Sequence, residues 1–247
     1  PHRVNLHAIY GEFGGARVER SAIGPEHFRG WIDWAAGLGL GLDFNATFFA
    51  HRRVREGLTL TSPDPATRDY WVEHGRRCRE IGAAMGRALG TPCLHNLWIP
   101  DGSKDRPVDR LGCRRRLRDS LERIHADEHP PEHLLDAVES KLFGIGSESF
   151  VAGSYDFYLG YAIHRNMLLC LDTGHFHPTE EVADKISALL DYLPGLLLHL
   201  SRGVRWDSDH VVVLDDPTRA VARALVRCRA LDRVHLALDF FDGSINR

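Results

Sequence analysis

The 247 residues carry 31 Lys and Arg against 34 Asp and Glu, a formal net charge of −3, with 43% hydrophobic and 26% charged residues. That is an ordinary globular composition: no single-sign field points to nucleic acid, and no run of eighteen apolar residues points to a membrane span. The polar opening PHRVNLHAIYGEFGG does not read as a signal peptide, and five cysteines without a CxxC spacing predict reduced thiols in the cytoplasm.

In chain order, apolar runs predict strands at 4–10, 40–49, 92–99, 134–143, 168–172, 195–201 and 233–241. Helical patterns fill the gaps. PEHFRGWIDWAAGLG has Pro25 at its start and Gly37 at its stop, and a long helix runs from Pro65 to Gly90. Further helices are predicted at 108–125, at 154–165, at 179–193 opening on Thr179, and at 216–230. Segments 100–110 and 147–154 read as loops. GIGSES (144–149) lacks the lysine of a phosphate loop. The arginines Arg114 to Arg116 sit among Leu111, Leu117 and Leu121, as on a solvated helix face.

Strands alternating with helices predict a parallel sheet of βαβ units. Polar residues then choose between an open sheet and a barrel. His7, Glu139, Lys141, Asp172, His199 and Asp239 each fall within or just after an apolar run. In a (β/α)8 TIM barrel such positions converge on one mouth, whereas an open sheet spreads them along a line. The reading is therefore an α/β fold: a single barrel domain over 1–247, incomplete here, with seven strands visible and a first strand and a C-terminal helical segment missing. A chain that starts at Pro1 and stops just after a strong strand signal fits a fragment of a longer one.

Singly, each polar residue has an unremarkable explanation. Glu139 and Lys141, two apart on a strand, share a face and could simply pair. His199 inside LLLHLS could be a hydrogen-bonded core histidine, and Asp207 and Asp209 in RWDSDH a surface turn. Together, Glu139, Asp172, Asp207, Asp209 and Asp239 would crowd one mouth with carboxylates, against Lys141 as the one cation. Divalent ions held by these acids and by neutral imidazoles such as His175 would restore balance. Mixed oxygen and nitrogen donors suit Mn²⁺, Mg²⁺, Co²⁺ or Zn²⁺, and no cysteine stands among the candidates.

The segments LHAIYGEF, GTPCLHNLWIPDGSKDRPVDRL, DAVESKLFGIGSES, CLDTGHFHPTEEVADKIS, LLLHLSRGVRWDSDHVVVLDD and DRVHLALDFFDGSINR resemble the L-rhamnose isomerase family almost end to end. The resemblance implies a xylose-isomerase-like barrel, two metal sites with Mn²⁺ the usual ion, a sugar substrate and a cytoplasmic homotetramer. It also implies that Glu139, Asp172, His199 and Asp239 hold a fixed metal and that His175, Asp207 and Asp209 hold a catalytic one. Lys141 becomes a substrate-side cation and Asp239 a carboxylate facing the sugar; His177 matches a family position too and is read here as structural. His95, Gly112 with Cys113, and Gly243 depart from the residues expected there.

The activity so implied is aldose–ketose isomerisation of L-rhamnose and L-rhamnulose by a 1,2-hydride shift on the open-chain sugar. Asp239 or water would shuttle the hydroxyl proton. Trp98 with Phe48 and Phe49 would wall the sugar or pack the core, and His7 would assist ring opening. The alternatives are a divalent-metal barrel hydrolase and a truncated, non-catalytic remnant.

Overall fold

The computed structural model describes residues 2–141, 148–177, 179–202 and 210–240. Within them the chain divides into two compact units, residues 1–136 with 149–153 and residues 137–148 with 154–247. Both are α/β, and among the described residues no helix is long and apolar enough to cross a membrane.

In the first unit, β1 (Arg3–His7), β2 (Gly41–Asn45) and β3 (Cys93–Leu97) pair in parallel, with Leu6 opposite Phe44 and Phe44 opposite His95. Helix α1 (Arg29–Leu38) follows a 3-10 turn at Pro25–Phe28. It ends at Gly39, not at the expected Gly37: Gly39 takes the left-handed backbone, φ +65, and its N–H reaches the Ala35 and Ala36 carbonyls. Gly37 is tolerated inside the helix. The 25-residue α2 (Pro65–Leu89) is capped by Asp64, whose carboxylate accepts from the Ala66 and Thr67 N–H groups, and stops at Gly90. Trp71, Ile81 and Met85 on α2 are fully buried and join Phe28, Phe44 and Leu97 in the core.

The two expected loops, 100–110 and 147–154, are not wholly irregular. Gly102–Ser103 (β4) pairs antiparallel with Phe150–Val151 (β6), too short a ladder for any hydrophobic period to signal. Asp101 anchors the base of this region: fully buried, it accepts from the Thr59 and Thr61 N–H groups at 2.8 and 2.9 Å and from both threonine hydroxyls.

Helix α3 (Arg110–Ile124) leads to β5 (Leu134–Glu139), which carries the chain into the second unit. There β5, β7 (Leu168–Asp172), β8 (Leu196–Leu200) and β9 (Val234–Leu238) pair in parallel in that order. They are linked by α4 (Tyr155–Arg165), α5 (Val182–Leu190) and α6 (Asp216–Arg227). Every residue of β7 is buried, as a strand covered on both faces should be. Thr179 does not cap α5. Its hydroxyl lies 2.7 Å from His177 Nδ1, and the helix starts three residues later behind Glu181.

Candidate metal centre

The register of the second unit brings strand ends together. Glu139 is the last residue of β5, Asp172 the last of β7, His199 the penultimate residue of β8, and Asp239 follows β9 directly. Glu139 stands opposite Cys170, Asp172 opposite His199, and His199 opposite Ala237. The Asp239 N–H continues the ladder onto the Leu200 carbonyl at 3.0 Å. In a parallel sheet, opposed residues point to the same face, so four strand termini deliver four side chains to one place.

One ligand atom from each of Glu139, Asp172, His199 and Asp239 can be chosen so that all lie within 4.8 Å of one another. His199 Nδ1 is 3.0 Å from Asp239 Oδ2, 3.6 Å from Glu139 Oε2 and 3.9 Å from Asp172 Oδ2. Yet His199 Nδ1 and Asp172 Oδ2, both buried, make no hydrogen bond. Buried polar atoms are ordinarily paired. Ligand atoms that converge on a common point, with a buried carboxylate oxygen of Asp172 among them left without a hydrogen bond, fit a cation at that point.

The electrostatics agree. Burial alone would raise the Glu139 carboxyl, but His199 and His175 beside it hold it well below the usual range. Asp172 goes the other way, pushed up to about 6 by burial, with Glu139 and Asp239 adding to the push and His175 and His199 opposing it. Burial would lower the His199 imidazole, but Cys170, Glu139 and Asp239 raise it well above its ordinary value. A site in which a buried carboxyl and a buried histidine both gain proton affinity is short of positive charge, which a divalent ion would supply.

His175 reaches the same region from the loop after β7. Its Nδ1 is 2.8 Å from the Ser140 carbonyl and 3.1 Å from Glu139 Oε1, and its Nε2 is 4.0 Å from Asp172 Oδ2. Lys141 does not continue the strand beside Glu139, because β5 ends at Glu139; its buried ammonium donates to Glu148 Oε1 at 3.1 Å. Asp207 and Asp209 lie outside the described residues. His177 is exposed and turned toward Thr179.

His7 and Trp98 belong to the first unit. His7 Nδ1 lies 3.3 Å from Thr47 Oγ1, its Nε2 lies 3.4 Å from Asn45 Nδ2, and its ring meets Phe49 edge-on. Phe49 also meets Trp98 edge-on. Phe48, by contrast, is wholly buried against Trp71 and His74, a core residue and not a sugar wall. His95, one of the departures from the family pattern, is buried with its Nδ1 3.0 Å from Asp136 Oδ1.

Two features escaped the sequence reading. Cys170 faces the cluster: with Glu139 and His199 it forms a second group whose ligand atoms lie within 4.8 Å, so a cysteine does stand among the candidates. Burial pushes its thiol up to about 12. Strand alternation places it on the Asp172 face, a signal that was available. Ser201 donates its hydroxyl to Asp172 Oδ1 at 2.6 Å, and only its position two residues beyond His199 hinted at it.

These observations define an α/β protein that gathers acids and imidazoles at the ends of parallel strands. Its fold is shared with the D-allulose 3-epimerase of Methylomonas sp., crystallised with D-allulose: TM-score 0.65 at 17% identity, over 98% of this chain and 84% of that one. At the level of sequence, residues 1–247 match the family model of L-rhamnose isomerase (RhaA), and the chain belongs to that family. It is 58% identical over 246 residues to the L-rhamnose isomerase of Rhodopirellula baltica and 54% identical over 246 residues to that of Bacteroides thetaiotaomicron. Both alignments take in 100% of this chain but 57% and 58% of the relatives, so the chain spans under three-fifths of their length.

Proposed function

We propose that the protein is a metal-dependent aldose–ketose isomerase interconverting L-rhamnose and L-rhamnulose in the cytoplasm, with residues 1–247 forming most of one (β/α)8 barrel in a homotetramer. The observation that carries this reading is the family match along the whole chain, joined by the convergence of Glu139, Asp172, His199 and Asp239. The hydrolase and remnant alternatives have no comparable support.

Mn²⁺ is the ion this reading assigns, with Mg²⁺, Co²⁺ and Zn²⁺ compatible with the same donors. Glu139, Asp172, His199 and Asp239 would hold one ion; His175, Asp207 and Asp209 would hold the other. When bound, the ions supply Lewis acidity at the sugar's reacting oxygens. The Lys141 ammonium, buried and steadied by Glu148, is suited to stabilise negative charge at the carbonyl oxygen. Asp239 is the most accessible of the four carboxylate and imidazole groups, its side chain 40% exposed, and so is suited to take and return the hydroxyl proton. Trp98 and His7 would bind the sugar, His7 also assisting ring opening. The hydrogen moving between C1 and C2 then needs alignment and a dry pocket but no base at carbon.

The test is to incubate the native protein with L-rhamnose and Mn²⁺ and assay ketose, alongside Asp207→Asn. Ketose formation that falls by about 100-fold or more in the variant is expected. A variant matching the parent rate removes Asp207 from the site, and a parent that makes no ketose removes the reading. With substrate deuterated at C2, label retained at C1 supports the hydride shift, and label lost to solvent points to an enediol route.

A further inference from the structure

Asp172 is gripped on one side only. Its Oδ1 accepts two charge-assisted hydrogen bonds, from Ser201 Oγ at 2.6 Å and from the Gly174 N–H at 2.7 Å. Its Oδ2 has no hydrogen-bond partner, is buried, and lies 3.9 Å from His199 Nδ1 and 4.0 Å from His175 Nε2. Two short bonds saturate the lone pairs of one oxygen and fix the carboxylate plane, so a single oxygen is left to face the cluster.

The grip is itself braced. Thr173 donates its hydroxyl to the Ser201 carbonyl at 2.7 Å, accepts from the Ser201 N–H at 2.9 Å, and donates its own N–H to the His199 carbonyl at 2.9 Å. The ends of β7 and β8 are thereby tied, and the Ser201 hydroxyl has little freedom to leave Asp172. Gly174 leaves room for it. A Cβ there would stand 2.6 Å from Ser201 Oγ and 3.2 Å from Asp172 Oδ1. The Gly174 backbone is not in the left-handed region, so it is space and not conformation that calls for glycine.

We infer that Ser201, seated against Gly174, is a positioning residue that holds Asp172 as a one-oxygen ligand of the metal cluster. This rests on the metal reading above. Without the hydroxyl, Asp172 keeps a single hydrogen bond on Oδ1 and can turn about its last side-chain torsion. The geometry offered to the ion is then no longer fixed in advance.

Mn²⁺ titration calorimetry on the native protein tests this, with the line shape of bound Mn²⁺ in electron paramagnetic resonance as a second readout. Ser201→Ala should bind Mn²⁺ about 10–100-fold more weakly and with an altered line shape, while its metal-free melting temperature stays near the parent's. Ser201→Thr, which keeps the hydroxyl, should restore affinity. Gly174→Ala should reproduce the Ser201→Ala defect by displacing the hydroxyl. The double variant should lose less than the sum of the two single losses, because the 2.6 Å clash with Ser201 Oγ is gone and only the 3.2 Å approach to Asp172 Oδ1 remains. Ser201→Ala binding within twofold of the parent, or additive losses in the double variant, overturns the inference and leaves the metal reading standing. A parent that takes up no Mn²⁺ overturns the metal reading first.

Discussion

Asp136→Asn is the sharpest perturbation the fold offers. Asp136 sits on β5 three residues before Glu139, and it is the acceptor for a buried fork. Arg79 Nε lies 3.0 and 3.1 Å from its two oxygens and Nη2 lies 2.9 Å from Oδ2. His95 Nδ1 is 3.0 Å from Oδ1. The Arg79 side chain is 5% exposed, and its remaining nitrogen donates to the Ile124 and Asp127 carbonyls at 2.9 and 2.8 Å. Burial would raise the Asp136 carboxyl, but His95, His125 and Arg79 outweigh it and hold it well below the carboxylate range. The amide removes the charge and leaves a buried guanidinium facing neutral groups, which costs about 3–5 kcal/mol. For a chain of this size that lowers the melting temperature by roughly 6–20 °C. The sign also fixes the pH window. A carboxyl depressed on folding contributes stability above its unfolded value of 3.8, and that contribution is lost as pH falls toward the folded value. The gap between parent and variant should therefore be flat from about pH 5 to 8 and should close in acid. Thermal melts across that range decide the matter, and a drop under about 3 °C at neutral pH would falsify the claim that this fork anchors β5.

Three further outcomes follow from the same structure. His74, fully buried, is neutral and clamps two loops: its Nε2 accepts from the Thr47 N–H at 3.2 Å and its Nδ1 donates to the Arg20 carbonyl at 3.0 Å. Burial lowers it from 6.5 to about 3, so stability should decline as pH falls through that window, by about 1.4 kcal/mol per unit at most. His74→Gln should flatten urea midpoints measured between those limits, and an unchanged slope would contradict the assignment. Gly86→Ala would place a Cβ 1.9 Å from the His133 carbonyl oxygen, a backbone atom that cannot swing aside. A loss of about 1–3 kcal/mol or more in urea unfolding is expected, against little change for a Gly160→Ala control with open space around it. Finally, Mn²⁺ at about a hundredfold excess over its dissociation constant should stabilise the protein by about 2.7 kcal/mol, and chelation should reverse this. Asp172→Asn should abolish the shift; if the full shift persists, the ion sits elsewhere.

The strand-end chemistry was legible early because it breaks a local rule: an apolar run that finishes on Asp172, or that contains His199, is anomalous in any fold. The helix start at Pro65 was equally visible, since helix-start signals depend on neighbours in sequence. The stop at Gly39 was misplaced at Gly37 because two glycines fit the helix pattern and only backbone geometry selects one. Phe48 and Phe49 look alike in sequence, yet one is core and the other meets His7 and Trp98, a choice made by which face of the segment packs on α2.

What the amino acids determined unaided was the alternation of strand and helix, the polar groups at strand ends, and the family. Those depend on periods of a few residues and on motifs readable in one dimension. Partner choice was decided only in three dimensions: Ser201 on Asp172 across 29 positions, Arg79 on Asp136 across 57, Cys170 beside His199. Register and the approach of packed elements set those pairings, and both arise when distant segments bury their apolar faces together.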